Sequence, residues 1–173
     1  MVTIDLQADV VEVQQMLVDA VNQYAGKHRA PHSAKTHPFV TRIDLVFSLG
    51  DSESTPWLSL HFDTKPGGEP DGDPTHPDFF EMVRENWLPA VKAVCKGKNV
   101  RVIQHNGHTR KCGDDELTEE IGNFLVAMLL EARERNVFTD LPRADRCELG
   151  VEDPNTGEFG WPNYEDRGKN NLV

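Results

Sequence analysis

Apolar residues along this chain follow two spacings, and each switch between them marks a new element. Val10, Val13, Leu17, Val21 and Tyr24 recur every three or four positions, the stripe of an amphipathic helix. Asp9 and Glu12 read as its capping box and Gly26 as its stop. Residues 27–38, KHRAPHSAKTHP, carry two prolines and no apolar period, so they read as a loop in which His28, His32 and His37 are solvated.

From Phe39 the spacing becomes two. Ile43, Leu45, Phe47 and Leu49 lie on one side of a strand, and Leu58, Leu60 and Phe62 on one side of a second, Trp57–Asp63, with a turn over residues 50–56. If the two form a hairpin, their apolar sides must coincide, so only alternate registers are allowed. One register sets Arg42 opposite Asp63 and Asp44 opposite His61. The next slip opposes Asp44 to Asp63, two like charges, so the first is expected.

Beyond Pro77 a second helix is predicted. Asp78 and Glu81 form its capping box, Phe80, Val83, Trp87, Val91 and Val94 its stripe, Pro89 a kink and Gly97 the end. Residues 99–105 read as a third strand, and Asn106-Gly107 as a hairpin turn into a short fourth. A last helix over 114–136 carries Leu117, Ile121, Phe124, Leu125, Met128 and Leu129 on its main stripe. Val126, Leu130 and Val137 form a second stripe that needs its own cover. Val151, Phe159, Trp161 and Tyr164 are the nearest supply, so residues 147–164 are expected to fold back, with a hairpin around Asp153–Gly157. A homodimer burying the same stripe is the competing cover.

The pattern therefore predicts one α+β domain over residues 1–173, with an antiparallel sheet and helices mainly on one face. The order is α-β-β-α-β-(β)-α, followed by an ordered C-terminal extension over 139–173.

Composition narrows the function. With 173 residues, 38% of them hydrophobic and 27% charged, the chain has the make-up of one globular domain. A net charge of −11 argues against nucleic acid and favours a basic protein partner. No apolar run reaches the ~20 residues of a membrane span, and MVTIDLQADVVEV does not resemble a signal peptide, so a cytoplasmic protein is expected. Cys95, Cys112 and Cys147 lack zinc-site spacing and read as reduced structural thiols.

Two candidate sites share one strand. His61 and Asp63 project from it toward a loop bearing Glu69, Asp71, Asp73, His76 and Asp78, oxygen and imidazole ligands that suit one divalent cation. Pro74 and Phe80 stand where a calcium loop needs glycine and glutamate, so this is not an EF-hand. A metal-dependent hydrolase using His61, Asp63, Asp71, Asp73 and His76 is accordingly the alternative reading. Ser59 beside His61 lacks an orienting partner, and Gly67-Gly68 lacks the ending of a phosphate loop. His105, His108, Arg110 and Lys111 make a small basic hairpin that could meet an anion.

The favoured site is a surface that needs no cofactor. The second face of the hairpin carries Val40, Arg42, Asp44, Val46, Trp57, Ser59, His61 and Asp63, and is expected to face water. Its binding residues are Arg42, Asp44, Trp57, Ser59, His61 and Asp63, which mix an aromatic with charges as binding surfaces do. The expected function is a non-enzymatic protein-binding or inhibitor module of the immunity type.

Overall fold

The computed structural model describes residues 3–28, 40–49, 56–63, 80–85, 100–154 and 157–158. In chain order these form β1 (Thr3–Asp5), α1 (Leu6–His28), β2 (Val40–Ser48), β3 (Trp57–Asp63), β4 (Phe80–Glu85), β5 (Val100–Ile103), β6 (Thr109–Cys112), α2 (Asp114–Glu134), β7 (Arg143–Asp153) and β8 (Gly157–Glu158). The α+β class expected from the sequence is the class observed. The strands form a five-stranded sheet, β4-β3-β2-β7-β8, and a three-stranded one, β1-β5-β6. Both sheets and both helices contribute to one buried apolar cluster.

The β2–β3 hairpin has the register that charge and parity require. Arg42 lies opposite Asp63, Asp44 opposite His61, and Ile43, Leu45 and Phe47 opposite Phe62, Leu60 and Leu58. Those six apolar residues are at most 1% exposed. The other flank of β2 departs from expectation. There β7 pairs in parallel, with Ile43 beside Leu149 and Leu45 beside Val151, so the sheet is mixed rather than antiparallel. Part of the segment read as a C-terminal extension is thus a strand at the heart of the sheet. The predicted hairpin follows it, with Asp153 opposite Gly157.

Both helices serve the same apolar face. At the β3–β4 end, Tyr24 of α1 meets Phe62 and Phe80 edge-on, with ring centroids 5.3 and 5.7 Å away, and Phe62 stacks on Phe80 at 5.0 Å. At the β7 end of that face α2 packs on β7. Val126 is buried, and Leu130 and Val137 are partly buried against the core to which Leu149 and Val151 belong. Phe159, Trp161 and Tyr164, the rest of the expected cover, lie outside the described residues. The helices meet at Gln14, whose buried side-chain amide donates to the Met128 carbonyl at 3.0 Å.

The predicted helix over 78–94 is corrected where it can be followed. Residues 80–85 form β4, antiparallel to β3, with Phe80 beside Phe62 and Val83 beside Ser59. Over so short a window FEMVRE fits either period, and pairing with β3 and packing on Tyr24 select the strand. Phe80 is 5% exposed, but Val83, which the helical stripe would bury beside it, is 47% exposed. Residues 86–99, including Trp87, Pro89, Val91 and Val94, lie outside the described residues.

The helix ends differ from expectation for local reasons. Asp5, not Asp9, caps α1, its carboxylate accepting the N–H groups of Gln7 and Ala8 at 3.1 and 3.3 Å. The helix also runs through Gly26 to His28. At α2, Glu116 reaches back to the Gly113 N–H at 2.9 Å. Its C-terminus closes as a Schellman motif: Asn136 has φ 59°, and Val137 and Asn136 donate to the Ala132 and Arg133 carbonyls, each at 3.0 Å. The Asn106-Gly107 hairpin is present, but as a three-residue loop. Gly107 takes φ 83° and donates to the Gln104 carbonyl at 2.8 Å, followed by the Gln104 N–H to His108 bond at 2.8 Å.

Freed from capping, Asp9 is a half-buried carboxyl beside the α1 start. Burial first, then repulsion from Glu12 and Asp5, pushes it up to about 6 from 3.8. Its folded pKa exceeds the unfolded one, so the folded state loses stability as pH rises from about 4 to 6. Asp9→Asn should therefore raise the melting temperature at pH 7 and leave it unchanged below pH 4. Discounted for its partial exposure, the gain at pH 7 is about 1 kcal/mol, measurable by urea unfolding at the two pH values.

Candidate functional site

The outward parity of β2 and β3 sets Arg42, Asp44, Ser59 and His61 on one face, as the sequence requires. The expectation that this face opens to water is corrected. Val40 and Asp44 are 0% exposed, Ser59 1% and Val46 6%, and the Arg42 and His61 side chains keep only 19% and 14%. Trp57 and Asp63 are partly exposed.

A wholly buried carboxylate needs a partner, and Arg42 supplies one. Its Nε lies 2.7 and 2.8 Å from the two Asp44 oxygens, and its Nη2 is 3.0 Å from Glu152 on β7. The backbone makes room for the pair. Gly150 is the register neighbour of Asp44, and a Cβ there would run into the Asp44 carboxylate and stand 2.7 Å from Arg42 Nη2. Only the absence of a side chain lets β7 come alongside.

A second cluster forms at β4. The Ser59 hydroxyl donates to Glu81 Oε1 at 3.0 Å, and His61 Nε2 lies 3.2 Å from the same oxygen. Burial holds the imidazole below its usual pKa, with the Glu81 carboxylate pulling the other way. An ionised carboxylate can only accept, so Nε2 of the neutral ring carries the proton. The hydroxyl is thus turned toward Glu81 instead of being bonded to His61 as a serine nucleophile would be to its base.

Glu81, Gly150 and Glu152 are site residues that sequence reasoning missed. The sequence pattern puts Glu81 in a helix cap and the other two in an extension. Parity could have found Glu81, which stands opposite His61 once 80–85 is a strand.

Among the described residues no group of three or more His, Cys, Asp or Glu side chains could hold a metal ion. Of the expected ligands only His61 and Asp63 are placed. Glu69, Asp71, Asp73, His76 and Asp78 lie outside the described residues, as do His32, His37 and Cys95. Cys112 and Cys147 are buried free thiols; burial pushes Cys147 up to about 12 and also raises Cys112, so neither is a ready thiolate. The basic hairpin is neutralised in part by α2. Arg110 pairs with Glu120 and lies 3.6 Å from Glu116, which raises its pKa and occupies the charge that an anion would need.

Among the described residues no helix is long and apolar enough to cross a membrane. No family model, curated protein or solved structure matches the chain.

Two measurements probe this arrangement. Gly150→Ala should cost about 3 kcal/mol in urea unfolding, the scale of breaking a buried ion pair. Adding Asp44→Ala should recover part of that loss, giving a non-additive cycle. The folded pKa of His61 lies below its unfolded value of 6.5, so its neutral form contributes stability above that value, lost as pH falls through the range beneath it. His61→Gln should flatten that part of the stability–pH curve; an unchanged slope would assign the dependence to another group.

Proposed function

We propose that this chain is a non-enzymatic protein-binding or inhibitor module, of the immunity type, whose partner is a basic protein. The observation that carries the reading is the distribution of its charge. The net charge is −11, and Glu12 on α1, Glu116, Glu119 and Glu134 on α2, and Asp140 after it are all exposed. By contrast, the charges expected to form the sheet surface are drawn inward: Arg42 pairs with Asp44 and Glu152, and the neutral His61 ring donates to Glu81, whose carboxylate keeps its charge.

That division moves the contact surface. Asp44 and Ser59 are buried on this face, while Trp57, Asp63, Glu81 and Val83 remain accessible along the β3–β4 flank. Val83 at 47% exposure and the Glu81 side chain at 43% are neighbours on one face of β4, an apolar contact beside an acidic one. Such a surface attracts a basic partner at long range and is screened by salt, because the Debye length falls from about 10 Å at 0.1 M to about 3 Å at 1 M.

The test is affinity capture with the tagged chain, followed by reconstitution with the purified partner. A basic protein should be retained at low salt and released as salt rises, and Trp57→Ala should weaken retention at least ten-fold while melting like the parent protein. Retention that ignores salt, or a partner that is not basic, overturns the proposal. Elution as a stable dimer that buries the same flank would replace the foreign partner with a second copy.

A further inference from the structure

Beside the β5–β6 hairpin lies a cleft of about 100 Å³. Ordinary small-molecule sites occupy roughly 300–1,000 Å³, so this one has room for a head group and not for a cofactor. Its inner wall is apolar: Leu6 at the start of α1 and Phe124 of α2, each 1% exposed. His105 and Asn123 stand exposed at the rim, and the His105 ring tilts over Phe124 with centroids 6.3 Å apart.

The polar anchor is Glu120, 5% exposed and also lining the cleft. Helical spacing puts Glu120, Asn123 and Phe124 on one face of α2. One carboxylate oxygen receives Arg110 and the other receives the Gln104 amide at 2.6 Å. A carboxylate offers about four acceptor positions, so these two bonds leave it capacity for more. Arg110 also lies 3.6 Å from Glu116, so one guanidinium is shared between two carboxylates.

Resting on the reading of a basic partner, we infer that this cleft receives a single arginine side chain presented by that partner. Arginine suits it in three respects. Its methylene stem fits the apolar wall of Leu6 and Phe124. Its flat guanidinium stacks on the His105 ring, and its fork of donors reaches Glu120 and the Asn123 carbonyl. A lysine ammonium would answer the charge but not the stacking.

The experiment uses N-acetylarginine amide as the probe, titrated into the whole chain and followed by amide NMR. Saturable shifts at Gln104, His105 and Asn123 are expected, with a Kd on the order of 1 mM, appropriate to so small a ligand. The matching citrulline amide, neutral and nearly isosteric, should bind at least ten-fold more weakly. Asn123→Leu and His105→Ala change exposed residues, and each should keep the parent spectrum elsewhere while weakening the probe's binding ten-fold or more. Absence of shifts at the cleft, equal binding of citrulline, or indifference to both variants overturns the inference. The probe needs no partner: a chain that captures a basic protein yet ignores N-acetylarginine amide retains the acidic-module reading and loses this cleft.

Discussion

A carboxylate with no exposure in the middle of the central strand is the constraint from which the rest of the sheet follows. Burying an ion costs several kcal/mol unless it is paired with good geometry, and Asp44 meets that condition through Arg42, two residues along the same face. The pair in turn dictates its neighbours. β7 must bring a residue without a side chain alongside Asp44, which is Gly150, and an acceptor for the far end of Arg42, which is Glu152. Because strand parity is strict, fixing these polar residues outward also fixes Ile43, Leu45, Leu149 and Val151 inward, where α1 and α2 bury them.

The parts of this arrangement legible in the sequence are those in which both partners are near one another along the chain. The β2–β3 register is readable because two opposed rows of charges can be compared and one alignment places Asp44 against Asp63. The last helix is readable because its stripe spans several turns. β4 is not, because six residues are too few to separate a period of two from one of 3.6. Asp9 mimics a cap because Asp5, four residues earlier, offers the same chemistry closer to β1. The pairing of β2 with β7 has no local signature at all, since a parallel neighbour is chosen by tertiary packing. Exposure of the candidate site fails for the same reason: parity tells which residues share a face, never what lies over it.

These features fit a protein whose polar chemistry falls into two kinds. Inside the sheet, Arg42, Asp44 and Glu152 are matched and held. On the helices and the β3–β4 flank, carboxylates remain open to solvent. The Ser59–Glu81–His61 cluster stands between the two, tying β4 to β3 through one oxygen shared by two donors while the Glu81 side chain stays 43% exposed.

The parallel pairing of β2 with β7 also sets the order in which the molecule can be assembled. The hairpin β2–β3 closes a short loop and can form early, yet Ile43 finds Leu149 only after most of the chain is available. Until then one edge of β2 presents unpaired backbone, a row of aliphatic side chains and a carboxylate whose shelter is half built. On a ribosome this interval lasts for the synthesis of some hundred residues, several seconds at ordinary elongation rates of roughly 5–20 residues per second. During that time Asp44 and Arg42 stay hydrated on the face of a strand whose edge is still open. A residue pair that is costly to bury in the finished sheet costs nothing to leave in water before β7 arrives.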